Sequence, residues 1–231
     1  MKYLCRFLIP AALFVSAFFA LPTHAALPTP VSHWSFDDGT EQDVAGDFDG
    51  NGTSTATPKN SSECVIGKCF EFDGVNDRVD IPAPSTPGSP LNPSAVSVSA
   101  WFTNEDLSGA AHKRILDRNK AYTLNILSRR LNFGIHDPSG GGDNNTFWPK
   151  AITPPNIEED TWYHAVGTYD PAQGAIKLYV NGTEVASTPL SVPVNIGIQH
   201  ILFIGSCGNT CKFKGKIDEV KVYNTALSPS Q

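Results

Sequence analysis

The sequence contains no run of Lys and Arg. Its 17 basic side chains are outnumbered by 23 Asp and Glu, giving a formal charge of −6. A partner carrying a phosphate backbone needs a basic stripe to neutralise it, so nucleic acid is excluded. A helical period is also missing, because nowhere do apolar residues recur at three- and four-residue intervals over a useful length. There is no internal repeat and no second domain. Neither a Gly-x-Ser-x-Gly elbow nor a metalloprotease helix occurs, which removes both of those hydrolase signatures.

The one long apolar stretch, residues 7–21, follows Lys2 and Arg6, is interrupted by Pro10 and leads to Thr23 and Ala25. It is short for a membrane span, which takes about 20 residues. It has the layout of a secretory signal peptide cut after Ala25, and Cys5 lies ahead of the apolar stretch rather than at a lipid-anchor position. Residues 1–25 are therefore expected to be removed, leaving 26–231 as a single domain, secreted to the extracellular space or the periplasm. No transmembrane segment remains after cleavage.

What is present is punctuation. With 18 Pro and 19 Gly, the chain suits many short strands. The run AVSVSAWF (95–102) sets Val96, Val98, Ala100 and Phe102 on one face, with Ser97, Ser99 and Trp101 on the other. AYTLNIL, RLNFGIH, TWYHAVGTYD, AIKLYVNGTEVAS, HILFIGS and FKGKIDEVKVYN follow. Asn181-Gly182, between two alternating runs, is a hairpin signal. The class is all-β, and strands this numerous are expected to form a two-sheet antiparallel sandwich. The Pro-rich stretch 81–95 reads as a surface crossover loop. Four cysteines follow the leader, Cys64, Cys69, Cys207 and Cys211, and an even number in an exported chain reads as disulfides with three connectivities open. Each close pair brackets a Gly-containing turn, so two local bridges are expected. The rival, a four-cysteine zinc site, needs all four sulfurs to converge.

Six blocks, VSHWSFDDGTEQDVAG, GKCFEFDGVNDRVDIP, SVSAWF, TWYHAVGTYD, IKLYVNG and FKGKIDEVKVYNTALS, occur in the order seen in laminin-G-like jelly-roll domains. On these blocks the chain resembles members of the concanavalin A-like lectin and glucanase superfamily. The resemblance implies two curved sheets with the first and last strands side by side, and a structural calcium ion where the chain ends meet. Carried over, it implies as ligands Asp37 or Asp38, the Asp73 side chain or the Gly74 carbonyl, and Asp218. The alternative is that Asp37, Asp38 and Asp73 cap turns while Asp218 faces solvent. The segment DFDGNG (47–52) matches the first half of an EF-hand loop, but its twelfth position is Pro58 rather than Glu, and no helices flank it. It reads as turn composition.

Superfamily glucanases carry Glu-x-Asp-x-x-Glu on one strand. Here Glu71 and Asp73 are followed by Asn76, whose amide cannot deliver the proton a general acid must supply. By the same resemblance, lyases on the jelly roll need a set of Arg, Gln, His and Tyr on the concave sheet, yet Gln199 and His200 are adjacent and point to opposite faces of a strand. His164 reads as a packing or hydrogen-bonding residue, and the acids of 158–160 as solvated. Trp34, Trp101 and Trp162 are expected in the core.

Sugar binding fits better, because sugars are held on flat aromatic faces beside amides and carboxylates. PSGGGDNNTFWPK (138–150) offers Asp143, Asn144, Asn145, Phe147 and Trp148 in one loop, with Arg129 and Arg130 nearby. The expected function is a secreted, non-catalytic recognition module for a glycan or an extracellular protein, carrying a structural calcium. A glycoside hydrolase or polysaccharide lyase, and an adhesive module of a larger assembly, are the alternatives. Sequons at Asn51, Asn60, Asn144 and Asn181 matter only in a eukaryotic secretory pathway.

Overall fold

The computed structural model describes residues 25–52, 55–82, 88–109, 111–118, 120–136, 149–154, 156–190 and 201–231. Among these residues fourteen strands run in chain order: β1 (Ser32–Trp34), β2 (Thr57–Lys59), β3 (Cys69–Asp73), β4 (Val79–Pro82), β5 (Val96–Asn104), β6 (Lys113–Arg118), β7 (Tyr122–Leu127), β8 (Arg130–Ile135), β9 (Lys150–Ile152), β10 (Tyr163–Asp170), β11 (Ala175–Val180), β12 (Thr183–Pro189), β13 (Ile201–Ile204) and β14 (Lys214–Tyr223). They make an eight-stranded sheet, β12-β11-β10-β5-β14-β3-β2 with β1 added beside β14, and a six-stranded sheet, β4-β13-β6-β7-β8-β9. All these pairings are antiparallel. The expected two-sheet jelly-roll sandwich is what forms, and first and last strands lie side by side with Trp34 opposite Val220.

The alternation that reveals the strands also builds the core. Val96, Val98, Ala100 and Phe102 of β5 are buried against Leu124, Ile126, Leu131 and Phe133 of the facing sheet, because successive residues of a strand point to opposite faces. The turn between β11 and β12 is the expected Asn181-Gly182, with φ of 49° and 79°. Positive φ at both central residues is what a two-residue hairpin of matching twist requires. Both local bridges form, Cys64 with Cys69 and Cys207 with Cys211. The zinc alternative is thereby excluded.

Three expectations need correction. Trp101 lies on the outer face of the eight-stranded sheet, stacked on His164 with ring centroids 4.9 Å apart, and Trp162 precedes β10, only partly buried. Only Trp34 of the three is in the core. The Pro-rich stretch is not wholly a surface loop: Leu91 is fully buried, its carbonyl takes the Tyr122 hydroxyl at 3.1 Å, and Asn92 accepts from Arg118. This segment closes one end of the core, where the buried Arg118 needs acceptors. Asp218 does not face solvent but is fully buried.

Candidate functional site

The face of the six-stranded sheet turned away from the core is polar. Register places Arg114, Asn125 and Asn132 in one row, and Asp80, Phe203, Asp117, Thr123, Gly134 and Lys150 in the next. Asn125, Asn132, Thr123 and Arg114 are each only 3% exposed, so their hydrogen bonds are obligatory. Arg114 Nη1 donates to Thr123 Oγ1 at 2.7 Å, and its Nε lies 3.5 Å from Asp117 Oδ1. His112 Nδ1 is 2.8 Å from Asn125 Oδ1, and Asn132 Nδ2 donates to the Arg130 carbonyl. Burial pushes the His112 pKa down, with Arg114 and Lys150 adding to the effect, so the ring is neutral at pH 7. Burial raises the Asp117 carboxyl, with Arg114 opposing.

His112, Arg114, Thr123, Asn125, Asn132, Gly134 and Lys150 together line a shallow depression. The described ends of the β8–β9 connection, which carries the stretch picked out for sugar binding, stand at its rim. Gly134 pairs with Lys150, and the Ile135 amide donates to the Pro149 carbonyl at 3.1 Å, so the two feet of the β8–β9 connection stand beside Asn132 and Asn125. Asp143, Asn144, Asn145, Phe147 and Trp148 themselves lie outside the described residues, as do Gln199 and His200. Arg129 and Arg130 are exposed at the far turn of the same hairpin, Arg130 bonding the Thr153 carbonyl. The paired Asn125 and Asn132 were not singled out in the sequence. Their signal was there, since Asn is depleted in strands.

The five residues expected to hold calcium fall into two places. Asp218 Oδ2 accepts the amides of Val65 and Ile66 at 3.1 and 3.2 Å, while its buried Oδ1 has no hydrogen-bond partner among the described residues. Asp37 closes on the same disulfide loop, where a Cβ on Gly67 would overlap its carboxylate. Burial, opposed by the Ile66 and Val65 amides, raises the Asp218 pKa to about 6. Asp38 instead turns its carboxylate onto Thr40. Asp73 caps its own turn, accepting from Val75, Asn76 and Asp77, with Gly74 beside it. Four residues of β-strand separate the level of Asp73 from that of Asp218, about 13 Å at the usual rise. No group of three or more His, Cys, Asp or Glu among the described residues is placed to share one ion, so any cation at Asp37 and Asp218 draws its other oxygens from backbone or water. In the EF-hand-like segment Asp49 is bonded to the Asp43 amide. Asp43 is the hub of that turn, holding the amides of His33, Ala45, Gly46 and Phe48, and it too escaped the sequence reading.

The glucanase-like residues are occupied elsewhere. Glu71 is bridged to Lys59 at 2.7 Å and lies 3.8 Å from Lys216. His164 bonds Ser99 at 2.9 Å.

No curated protein sequence matches the chain. Among solved structures it is similar to domain 4 of AbnA, an extracellular arabinanase of family GH43 from Geobacillus stearothermophilus, solved in complex with arabinotriose. That likeness has 24% identity and a TM-score of 0.64, over 88% of this chain and 96% of that one. The binding domain of Paraclostridial Mosquitocidal Protein 1 is similar at 16% identity and a TM-score of 0.65, over 87% of this chain and 50% of that one. The botulinum neurotoxin serotype D binding domain is similar at 14% identity and a TM-score of 0.65, over 87% and 49%. The chain thus spans about half the length of these toxin binding domains and nearly all of the arabinanase domain. These likenesses are of fold. The family model of the concanavalin A-like lectin/glucanases superfamily matches residues 73–231, well over half of the sequence, and the chain, with its laminin-G-like jelly roll, belongs to that superfamily.

Proposed function

We propose that this protein is a secreted, non-catalytic recognition module that binds a glycan on the outer face of its six-stranded sheet. The observation that carries this reading is the polar depression at the feet of the β8–β9 connection. Amide, hydroxyl and cationic groups converge there on a rigid sheet, the arrangement that orients a hydroxylated ligand. Asp143, Asn144, Asn145, Phe147 and Trp148, on the connection itself, supply the stacking surface and further amides. The arabinotriose held by the similar arabinanase domain supports a carbohydrate as ligand.

The non-catalytic part rests on the carboxylates. Glycoside hydrolysis takes two of them flanking one bond. On this face, among the described residues, Asp117 is set against Arg114 and Asp80 against Arg78, so each is committed to a neighbour. The leader, two disulfides and the absence among the described residues of a helix long and apolar enough to span a membrane are compatible with export.

Calcium enters the same proposal through the loop closed by Cys64 and Cys69. The buried Asp218 Oδ1 without a partner fits a cation, since a desolvated carboxylate oxygen needs one or a donor. Asp37 and Asp218 would hold the ion, and its chemistry would be charge neutralisation between the chain ends. The remaining ligands are carbonyls or waters.

A glycan array with and without chelator, run beside a reducing-sugar assay on common polysaccharides, tests the reading. Binding that weakens in Asn125→Ala and in Trp148→Ala, with no turnover, is the expected result. Turnover that disappears in Glu71→Gln would overturn it.

A further inference from the structure

The eight-stranded sheet also has an outer face, and on it the chain encloses a cleft of about 370 Å³. Its floor is a row across four strands, Tyr179 of β11, Val166 of β10, Ser99 of β5 and Lys221 of β14, flanked by His164 on one side and Thr168 and Tyr223 on the other. Its wall is the segment after β14. The Ser97 hydroxyl donates to the Thr225 carbonyl and accepts the Leu227 amide, both at 2.8 Å. That pins the segment so that residues 227–231 lean over the sheet, and Gln231 Nε2 then reaches the Ala26 carbonyl at 2.9 Å.

Two hydroxyls in this cleft are unspent. Thr168 is 4% exposed and Tyr223 5% exposed, both line the cleft, and neither side-chain oxygen is a buried atom left without a partner, so both open onto the cleft. Hydroxyls that water reaches inside a cleft can exchange that water for a ligand's own hydroxyls, so the pair offers bonding groups to a ligand that enters. The other polar groups are already ordered: Ser99 on His164, and Tyr179 on Glu184.

Charge narrows the class. Among the described residues, Lys221 is the one formally charged side chain lining the cleft, and its ammonium sits 2.5 Å from Glu219 Oε2, which also takes His33 at 3.0 Å. Burial lowers the His164 pKa and Lys221 lowers it further, so its ring is neutral at pH 7. Burial and the Glu219 carboxylate keep the Tyr223 phenol protonated, a donor and acceptor. The field in the cleft is thus close to balanced. Apolar surface comes from Leu27, Val166, Leu227 and Pro229.

We infer that this cleft is a second binding site, separate from the six-stranded face, for a short neutral saccharide of one or two rings. The size falls at the lower end of small-molecule sites, roughly 300–1,000 Å³. The tyrosine and aliphatic surfaces match the C–H faces of a sugar, and Thr168, Tyr223 and Ser99 match its hydroxyls. The source is a free sugar or the end of a longer glycan, which share that chemistry.

The test is an NMR titration of the full mature chain with galactose, arabinose, cellobiose, lactose and glucuronate, and with arabinan as the long-chain arm. Shifts at Ser99, His164 and Thr168 with a neutral sugar are expected. Tyr223→Phe and Thr168→Val should each weaken that binding about tenfold, the loss of one hydrogen bond to a buried partner, while Asn125→Ala leaves it unchanged. Tyr223→Phe keeps the ring, so its fold is preserved if Thr168→Val proves unstable. Response to the small sugars and to arabinan identifies a chain-end site, and response to small sugars alone a free-sugar site. No response at these residues with any probe, tighter binding of glucuronate than of the neutral sugars, or binding untouched by Tyr223→Phe overturns the inference. Because Asn125 belongs to the other face, failure here is distinguishable from failure of the proposed glycan site.

Discussion

Replacing Asp218 by Asn separates a calcium ligand from a merely buried acid. Without metal, the wild-type carboxyl is held at about 6 against an ordinary value of 3.8. The proton is therefore favoured in the folded state, and the cost of ionisation is absent below the unfolded pKa, grows between about pH 4 and 6 and is complete at pH 7. Linkage makes that cost about 3 kcal/mol. The substituted carboxamide would keep an oxygen for the Val65 and Ile66 amides but leave its nitrogen short of an acceptor, a loss of about 1–3 kcal/mol. In chelator at pH 7.5, Asp218→Asn should thus equal or exceed wild type in stability. Calcium at a hundredfold over Kd should then stabilise wild type by about 2.7 kcal/mol. For a chain of this size that is a rise of roughly 5–10 °C in Tm. The variant should show none of it. Thermal unfolding followed by circular dichroism, with calcium or EGTA, reads both arms, so the order of the two proteins is expected to reverse on adding the ion. A wild-type Tm indifferent to calcium, or a variant equally destabilised in both buffers, would refute the reasoning.

Two further outcomes are expected. Gly167 of β10 faces Phe133 of β8 so closely that a Cβ would overlap the ring, so Gly167→Ala should cost about 1–3 kcal/mol by overpacking. Urea denaturation would measure this, with part of the loss recovered when Phe133→Leu is added. Asp106, whose pKa is lowered to about 2 by Ser108 first and Lys113 next, contributes stability that is present above pH 4 and disappears as pH falls towards 2. Its partly exposed side chain limits the effect to less than about 1 kcal/mol, so the gap between wild type and Asp106→Asn in a pH series of urea midpoints should be small at pH 7 and vanish near pH 2.

Much of the sandwich was legible because burial on one face writes itself as period two: Val96, Val98, Ala100 and Phe102 announce β5, and Asn181-Gly182 announces its hairpin. The turn from β7 to β8 was not, since Ser128 and Arg129 adopt φ of 50° and 62° without the Asn or Gly that advertises such geometry. Trp101 misled because aromatic bulk suggests a core, whereas the ring packs on His164 across the outer face. For the site, the acidic residues looked alike in sequence. Only tertiary structure distinguishes Asp73, spent on its own turn, from Asp218, buried with an oxygen to spare. Asn125 and Asn132 alternate with apolar residues like any solvated face, and nothing local states that they oppose one another and are covered.

The placement of β14 carries a kinetic consequence. It lies between β5 and β3, and also pairs with β1, so Trp34 waits for Val220. A chain synthesised from its N-terminus cannot close the larger sheet until β14 emerges, and contacts of such long sequence separation slow folding. The sandwich therefore stays unfinished while the strands before β14 are being made, and closure of the larger sheet waits on that strand's arrival.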